Sequence, residues 1–157
     1  MMGRRELPDW MMSGGEMGAG MMEDMLVIHE LLLSHDRIRR EVTDIGDGIR
    51  ARTTSGDPEV GELICTDVWQ MRERVEEGDP IRHMDPLCRE IFEHHEAVEM
   101  AVEETTGGVL VVETSDDPQV ELLIRQHALR AVSQFVAEGM ARAMRPTPLP
   151  PGYRESW

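Results

Sequence analysis

The chain repeats itself at a spacing of 60 residues, and this repeat limits the possible folds more than any other feature. No gap is needed between the matched positions, which include charged, turn-forming and apolar residues. The matched pairs are Glu30/Glu90, His35/His95, Val42/Val102, Gly48/Gly108, Thr54/Thr114, Ser55/Ser115, Asp57/Asp117, Pro58/Pro118, Val60/Val120, Leu63/Leu123 and Ile64/Ile124. A duplicated unit of about 55 residues is the simplest explanation.

Each unit is predicted to be a helix, a β-hairpin and a second helix. In the first unit an apolar stripe predicts a helix over 23–36, and Gly46-Asp47-Gly48 is typical of a hairpin turn. Asp57 and Pro58 are typical of a helix start, and we expect that helix to end near Gly78. The remaining predicted elements are strands 38–45 and 49–54, a helix over 86–96, strands 98–104 and 109–113, and a helix over 118–139.

One such unit is too small to bury a good core, and a lone hairpin is only marginally stable. Two units could merge their hairpins into one four-stranded antiparallel sheet, with four helices covering one face. The predicted class is therefore α+β with an internal duplication and a pseudo-two-fold axis. We expect a domain over 26–140 with repeats 26–79 and 86–139, between a flexible Met/Gly-rich arm (1–25) and an extended Pro-rich tail (141–157).

Composition excludes several classes of function. Acidic residues outnumber basic ones 31 to 16, for a net charge of −15, which argues against nucleic acid and anionic membranes as partners. No run of 18 apolar residues exists, so no membrane span is predicted. All 16 basic residues are Arg, which excludes Schiff-base lysine chemistry, and the lack of Lys and Asn is typical of a GC-rich, bacterial genome.

The sequence is consistent with two cellular locations, which differ in whether a signal peptide has been removed. No continuous apolar segment follows Arg4 and Arg5, so the chain has no signal peptide as written. We therefore expect a cytoplasmic protein, or an exported one whose signal has been removed. Two cysteines, Cys65 and Cys88, do not make a disulfide scaffold.

Four polar residues occupy inward-facing positions that the repeat relates to one another. Asp67 and His127 lie on the apolar stripes of the two second helices, and His35 and His95 lie one turn beyond the apolar residues of the first helices. Buried polar groups need partners, so the four side chains could converge between the helices. Three imidazoles and a carboxylate would suit a transition metal such as copper, zinc or iron.

Two alternatives stand beside a metal site. A pair of histidines from facing helices could instead hold a haem iron, and His95 and His127 are the cofactor ligands we favour. The histidines could also be structural, each bonded to a carboxylate or a backbone carbonyl group. The repeat favours a shared site, although duplication also copies residues for structural reasons.

The N-terminal arm contains eight of the 13 methionines. Pairs such as Met11-Met12 and Met21-Met22, separated by glycines, resemble the methionine motifs of exported copper-handling proteins. That resemblance implies an auxiliary soft site for Cu(I). Glu93-His94-His95-Glu96 is also similar to the HHE motif of hemerythrin-like di-iron bundles, but the predicted hairpins do not belong in a four-helix bundle, and we reject that family.

The leading hypothesis is a small metal-binding protein, and copper handling or copper sensing is one version of it. The metal site would lie between the repeats and consist of His35, Asp67, His95 and His127. The alternatives are a haem protein and a non-catalytic interaction module with structural histidines. No nucleophile elbow, HExxH motif, P-loop or dinucleotide fingerprint occurs, which argues against an enzyme. The expected partner is the metal ion, and a homo-oligomer is left open.

Overall fold

The computed structural model describes residues 19–154. The elements are α1 (Ala19–Leu33), a 3₁₀ turn (His35–Arg37), β1 (Ile38–Asp44), β2 (Gly48–Ser55), α2 (Pro58–Glu77), α3 (Pro86–Glu93), a second 3₁₀ turn (His95–Ala97), β3 (Glu99–Thr105), β4 (Gly108–Thr114), α4 (Pro118–Gln126), a π-helical segment (His127–Val132), α5 (Ser133–Glu138) and α6 (Met140–Ala143). Helix α4, the π segment and α5 follow one another without a break.

The four strands form one antiparallel sheet in the order β1-β2-β4-β3, and the α+β class is confirmed. The two hairpins therefore meet along β2 and β4, the inner strands of the sheet. In that central pair Ala51 lies opposite Val111, Gly48 lies opposite Thr114, and Thr54 lies opposite Gly108. The register of this pair fixes how the two halves of the chain face each other.

The helices cover one face of the sheet, because the strands alternate between inward apolar and outward polar residues. Ile49 and Ala51 of β2 pack against α4, while Val109 and Val111 of β4 pack against α2. On the opposite face of β2 the arginines Arg50 and Arg52 are exposed.

Three aspartates begin helices, as their Asp-Pro sequences predict. Asp57 accepts a hydrogen bond from the backbone N–H of Glu59 at 3.0 Å, and Asp117 accepts one from Gln119 at 2.8 Å. Asp85 does the same at the start of α3. Each cap satisfies N–H groups that have no partner inside the helix, and the cap prediction is confirmed.

The first helix of each half is shorter at its C-terminal end than predicted. Helix α1 ends at Leu33 rather than residue 36, and α3 ends at Glu93 rather than residue 96. The chain must turn sharply into the following strand, and a 3₁₀ turn makes that change in three residues. His35 and His95 are therefore the first residues of these turns, not members of the helices.

Secondary structure extends beyond residues 26 and 140 at the two ends of the predicted domain. Helix α1 begins at Ala19, before the predicted boundary at residue 26, because Met25 is buried in the core and Asp24 pairs with the buried Arg74. The tail continues past residue 140 with α6 and then packs on the protein, with Thr147 only 1% exposed. The expected methionine pair Met11-Met12 lies outside the described residues. Within residues 19–154, no helix is both long and apolar enough to span a membrane.

Candidate functional site

A cavity of about 220 Å³ lies between the helices and the covered face of the sheet. Most of its wall is aliphatic and aromatic, and none of the residues that line it is exposed. Its polar lining residues are His35, Arg40, Thr53, Asp67, Arg82, Asp85, Cys88, Glu113 and His127. An apolar interior chamber with a few polar groups is the usual form of a small-molecule site.

Two charged residues enter the cavity from the sheet. Arg40 of β1 donates hydrogen bonds to Ser133 Oγ at 3.0 Å, Thr53 Oγ1 at 2.9 Å and the Ala128 carbonyl oxygen at 3.3 Å. Burial lowers the pKa of Arg40 to about 10, although Glu113 opposes this effect. Burial also raises the pKa of Glu113, while Arg40 acts in the opposite direction. The two charges lie close enough to interact and balance each other in the interior.

Asp67 of α2 is the least satisfied carboxyl group on the wall. Among the described residues no donor reaches its Oδ1 atom, which is buried. Burial raises the pKa of Asp67 to about 7, and the nearby Asp24 raises it further. The Asp67 side chain keeps partial accessible surface although it lies in the interior, because it faces the cavity. At neutral pH this carboxyl group is therefore divided between its acid and its anion.

His127 opens the π segment and faces the same cavity. Burial lowers the pKa of His127 to about 4, and the positive charges of Arg40 and Arg82 lower it further, against the effect of Asp85. The imidazole is consequently neutral at physiological pH and offers one donor and one acceptor. A π segment within an α-helix is rare and often occurs at a functional site.

The third polar group of the wall lies between α2 and α3. Arg82 donates to Asp85 at 3.4 Å, and Asp85 also accepts from the backbone N–H of Thr147 at 3.0 Å. Next to them, burial and the charge of Asp85 raise the pKa of Cys88 to about 12. The Cys88 thiol is thus protonated and a poor nucleophile.

His35 and His95 each bond to a backbone carbonyl group in the other half of the chain. The His35 imidazole donates from Nδ1 to the Val136 carbonyl oxygen at 2.8 Å, and the His95 imidazole does the same to Val75 at 2.7 Å. Each ring thereby satisfies a carbonyl group near the C-terminal end of a helix, α5 for His35 and α2 for His95.

Of the four residues predicted to form one metal site, three line the cavity: His35, Asp67 and His127. His95 is not among the lining residues. In the described part of the chain, one set of His, Cys, Asp and Glu side chains has three ligand atoms within 4.8 Å of one another, and it consists of Glu90, Glu93 and His94. The four predicted ligands do not form such a set in this structure.

Sequence reasoning missed Arg40 and Glu113. Both occupy inward positions of strands whose alternation is visible in the sequence, Ile38-Arg39-Arg40-Glu41-Val42 and Val109 to Glu113. A charged residue on the apolar side of such an alternation is a signal for an interior polar site. Arg82 and Asp85 had no comparable signal, because they lie in the connection between the two halves.

Comparison with known proteins gives no relative: no protein-family model, no curated protein and no solved structure matches this chain.

Proposed function

We propose that this protein is a non-catalytic binder of a small, largely apolar molecule, which it holds in the cavity between the helices and the sheet. The observation that carries the proposal is a chamber of about 220 Å³ with apolar walls and several buried titratable groups. A close-packed interior has few voids larger than a water molecule. An apolar concavity of this size leaves its walls with fewer packing contacts than a filled core, and a bound ligand would restore them.

The volume sets the size of the ligand. An engineered apolar cavity of about 150 Å³ takes up benzene, whereas drug-sized ligands occupy about 300–1,000 Å³. The present cavity lies between these limits. A molecule with one or two rings, or an aliphatic chain of similar volume, fits this range.

The protonation states favour binding over catalysis. A nucleophile would need a low pKa or an adjacent base, but the Cys88 thiol is held in its neutral form. His127 has a pKa of about 4, well below the value near 7 that suits a general base. Asp67 does have a pKa of about 7, but the wall around it is mostly apolar, and we therefore propose that it orients a bound molecule.

Binding of naphthalene, followed as a rise in melting temperature of the full chain, tests the proposal. We expect a rise of several degrees at saturation, because a ligand that binds only the folded state stabilises it. Val68→Phe places a phenyl ring inside the cavity and should abolish the rise in melting temperature. Val112→Phe adds the same bulk on the outer face of β4 and should leave it intact. If naphthalene and smaller aromatic hydrocarbons all leave the melting temperature unchanged, the proposal is wrong.

We also propose that the two halves derive from one duplicated unit and are related by a pseudo-two-fold axis. The register of the central strands supports this: residues 60 positions apart, Ala51 and Val111, lie directly opposite each other. A two-fold axis through that pair would also exchange two connecting bonds. These are Ser55 N–H to the Gly107 carbonyl oxygen and Ser115 N–H to the Asp47 carbonyl oxygen.

The histidine contacts support the same origin. His35 and His95 are 60 residues apart, and each bonds to a valine carbonyl group of the opposite half. The two valines, Val75 and Val136, are 61 residues apart. The difference of one residue lies across the π segment, which takes up one extra residue relative to a regular α-helix.

Metal binding is the second candidate function. The predicted set His35, Asp67, His95 and His127 stays a prediction, and the cluster Glu90, Glu93 and His94 offers ligand atoms close enough for one ion. Metal analysis and an absorbance spectrum of the purified protein separate the possibilities. Stoichiometric copper, zinc or iron that is lost in His94→Ala supports the cluster, loss in His127→Ala supports the predicted site, and a Soret band supports haem. A colourless, metal-free protein that binds no hydrophobic probe supports the interaction module.

A further inference from the structure

Two equivalent polar residues of the cavity wall differ in their charged neighbours. Asp67 and His127 occupy matching positions of the two halves, 60 residues apart. The charge that acts most on Asp67 is another carboxylate, Asp24. The charges that act on His127 are, from the largest effect to the smallest, those of Arg40, Asp85 and Arg82, and Asp85 opposes the two arginines. Arg40 interacts with Glu113 and Arg82 pairs with Asp85, so the cations near His127 have carboxylate partners, whereas in the described part of the chain no donor reaches Asp67 Oδ1.

The carboxylate nearest to Asp67 already has its own cation, because Asp24 on α1 pairs with the buried Arg74. Asp67 has no such pair, and its Oδ1 atom accepts no hydrogen bond from any residue in the described range 19–154. A buried carboxyl group without donors raises the free energy of the folded state. A donor supplied by a ligand would remove this cost.

We propose that the ligand of the cavity is a small apolar molecule with one primary amino group, and that its protonated amine pairs with the carboxylate of Asp67. This inference rests on the proposed binding function and specifies the chemistry of the ligand. An ammonium group supplies both the positive charge and the hydrogen-bond donors that Asp67 lacks. The aliphatic and aromatic wall accommodates the rest of the molecule.

The other charged and titratable groups of the wall agree with this orientation. They are His35, Arg40, Arg82, Asp85, Glu113 and His127. Arg40 is opposed by Glu113 and Arg82 is paired with Asp85, so these charges are already balanced within the wall. Asp67 is therefore the carboxyl group of the wall that we assign to the amine of the ligand.

The pH dependence of amine binding follows from the pairing of the ligand's ammonium group with the Asp67 carboxylate. The pKa of Asp67 is about 7 in the folded protein, so the carboxyl group takes up a proton at lower pH. An alkylamine stays protonated until about pH 10, as the side chain of lysine does. Amine affinity should therefore fall about tenfold for each pH unit below about 6.

Three probes of matched shape test the inference by calorimetric titration of the full chain at pH 7.5. They are 2-phenylethylamine, the neutral propylbenzene and the anionic 3-phenylpropionate. We expect the amine to bind at least tenfold more tightly than either of the other two. In Asp67→Asn the preference for the amine over propylbenzene should disappear. Glu103→Gln makes the same chemical change on the outer face of the sheet and should keep that preference.

Each alternative result is decisive. Equal affinities for the amine and propylbenzene overturn the inference about the amine and leave the proposed binding function standing. Preference for 3-phenylpropionate also overturns it, because the cavity would then select an anion and not a cation. Failure of all three probes to bind, at concentrations up to their solubility, contradicts the proposed function itself. Amine affinity that does not change between pH 5 and pH 8 contradicts the role of Asp67.

Discussion

Two glycines give two histidine rings the space they need. Gly78 follows α2 and Gly139 follows α5, and they have φ angles of 70° and 69°. A Cβ atom at Gly78 would lie within 2.4 Å of His95 Nε2, and one at Gly139 would come equally close to the His35 ring. Both the left-handed backbone and the ring contact therefore require glycine. These contacts hold each histidine ring between a glycine and a backbone carbonyl group.

The first residue-scale prediction concerns Gly78. Gly78→Ala places a Cβ atom on a residue with positive φ, which strains the backbone, and displaces the His95 ring from the Val75 carbonyl group. We therefore expect a loss of about 2–3 kcal/mol in the free energy of unfolding. Gly46→Ala is the control, since Gly46 has φ 101° and open space around it, and it should cost only about 1 kcal/mol. Urea denaturation measures both. Equal losses would show that the His95 contact contributes nothing.

The second residue-scale prediction concerns pH. The folded-state pKa of Asp67, about 7, is raised, so its contribution to stability is complete below about pH 4 and is lost as the pH rises through 7. The folded-state pKa of His127, about 4, is lowered, so its contribution is complete above about pH 6.5 and is lost as the pH falls through 4. The two effects oppose each other between about pH 4 and 6.5.

Single variants should separate these opposing effects. Asp67→Asn should leave stability rising with pH across that window, because only the His127 effect remains there. His127→Gln should leave stability falling with rising pH. Urea denaturation at several pH values measures both slopes. Identical pH profiles for the two variants and the parent chain would contradict the assigned ionisation states.

The candidate site was only partly predictable at the level of single residues. Asp67 and His127 were recognised because a polar residue interrupts an apolar stripe, and both line the cavity. His95 carries the same signal and has another role, because periodicity indicates that a side chain faces inward but does not identify its partner. The partner, the Val75 carbonyl group, lies 20 residues away in sequence and depends on the docking of the two halves.

At the scale of elements, the turn and cap signals predicted the order of helices and strands well. The Asp-Pro starts and the glycine turns are local, and local chemistry determines them. The π segment was not predicted, since one extra residue in a helix leaves the apolar residues near their expected positions. Its effect becomes visible only beyond it, where the equivalent valines are 61 residues apart instead of 60.

The element-scale prediction is that the π segment tolerates a deletion. Removing Leu129, which is 49% exposed, should convert the segment to regular α-helix and keep the His35 contact with Val136. We expect the free energy of unfolding to change by no more than about 1 kcal/mol. Removing the exposed Glu73 from the regular helix α2 is the control. This deletion rotates the following residues by about 100° about the helix axis, which turns their apolar side chains away from the core, and it should unfold the protein. Urea denaturation followed by circular dichroism compares the variants, and equal damage from both deletions would contradict the assignment.

At the scale of the whole molecule, the C-terminal segment is part of the core structure. Leu149 and Tyr153 pack against Leu87, Leu123 and Ala131. The Pro-rich composition predicted an extended tail over 141–157, whereas α6 continues to Ala143, and the structure has no helix in residues 146–154. Composition could not predict docking, because docking depends on partners far away in sequence. The same segment also supports the cavity wall, since the Thr147 N–H group bonds to Asp85.

The whole-molecule prediction compares a chain that ends at Arg145 with one that ends at Arg154. Loss of residues 146–154 exposes the apolar surface under Leu149 and Tyr153 and removes a hydrogen bond from the buried Asp85. We expect the shorter chain to lose about 2–4 kcal/mol in the free energy of unfolding relative to the longer one. It should also bind naphthalene more weakly, because Arg82 and Asp85 of the cavity wall lose their support. Urea denaturation and the melting-temperature assay measure the two effects, and a shorter chain that matches the longer one in both would show that the segment only rests on the surface.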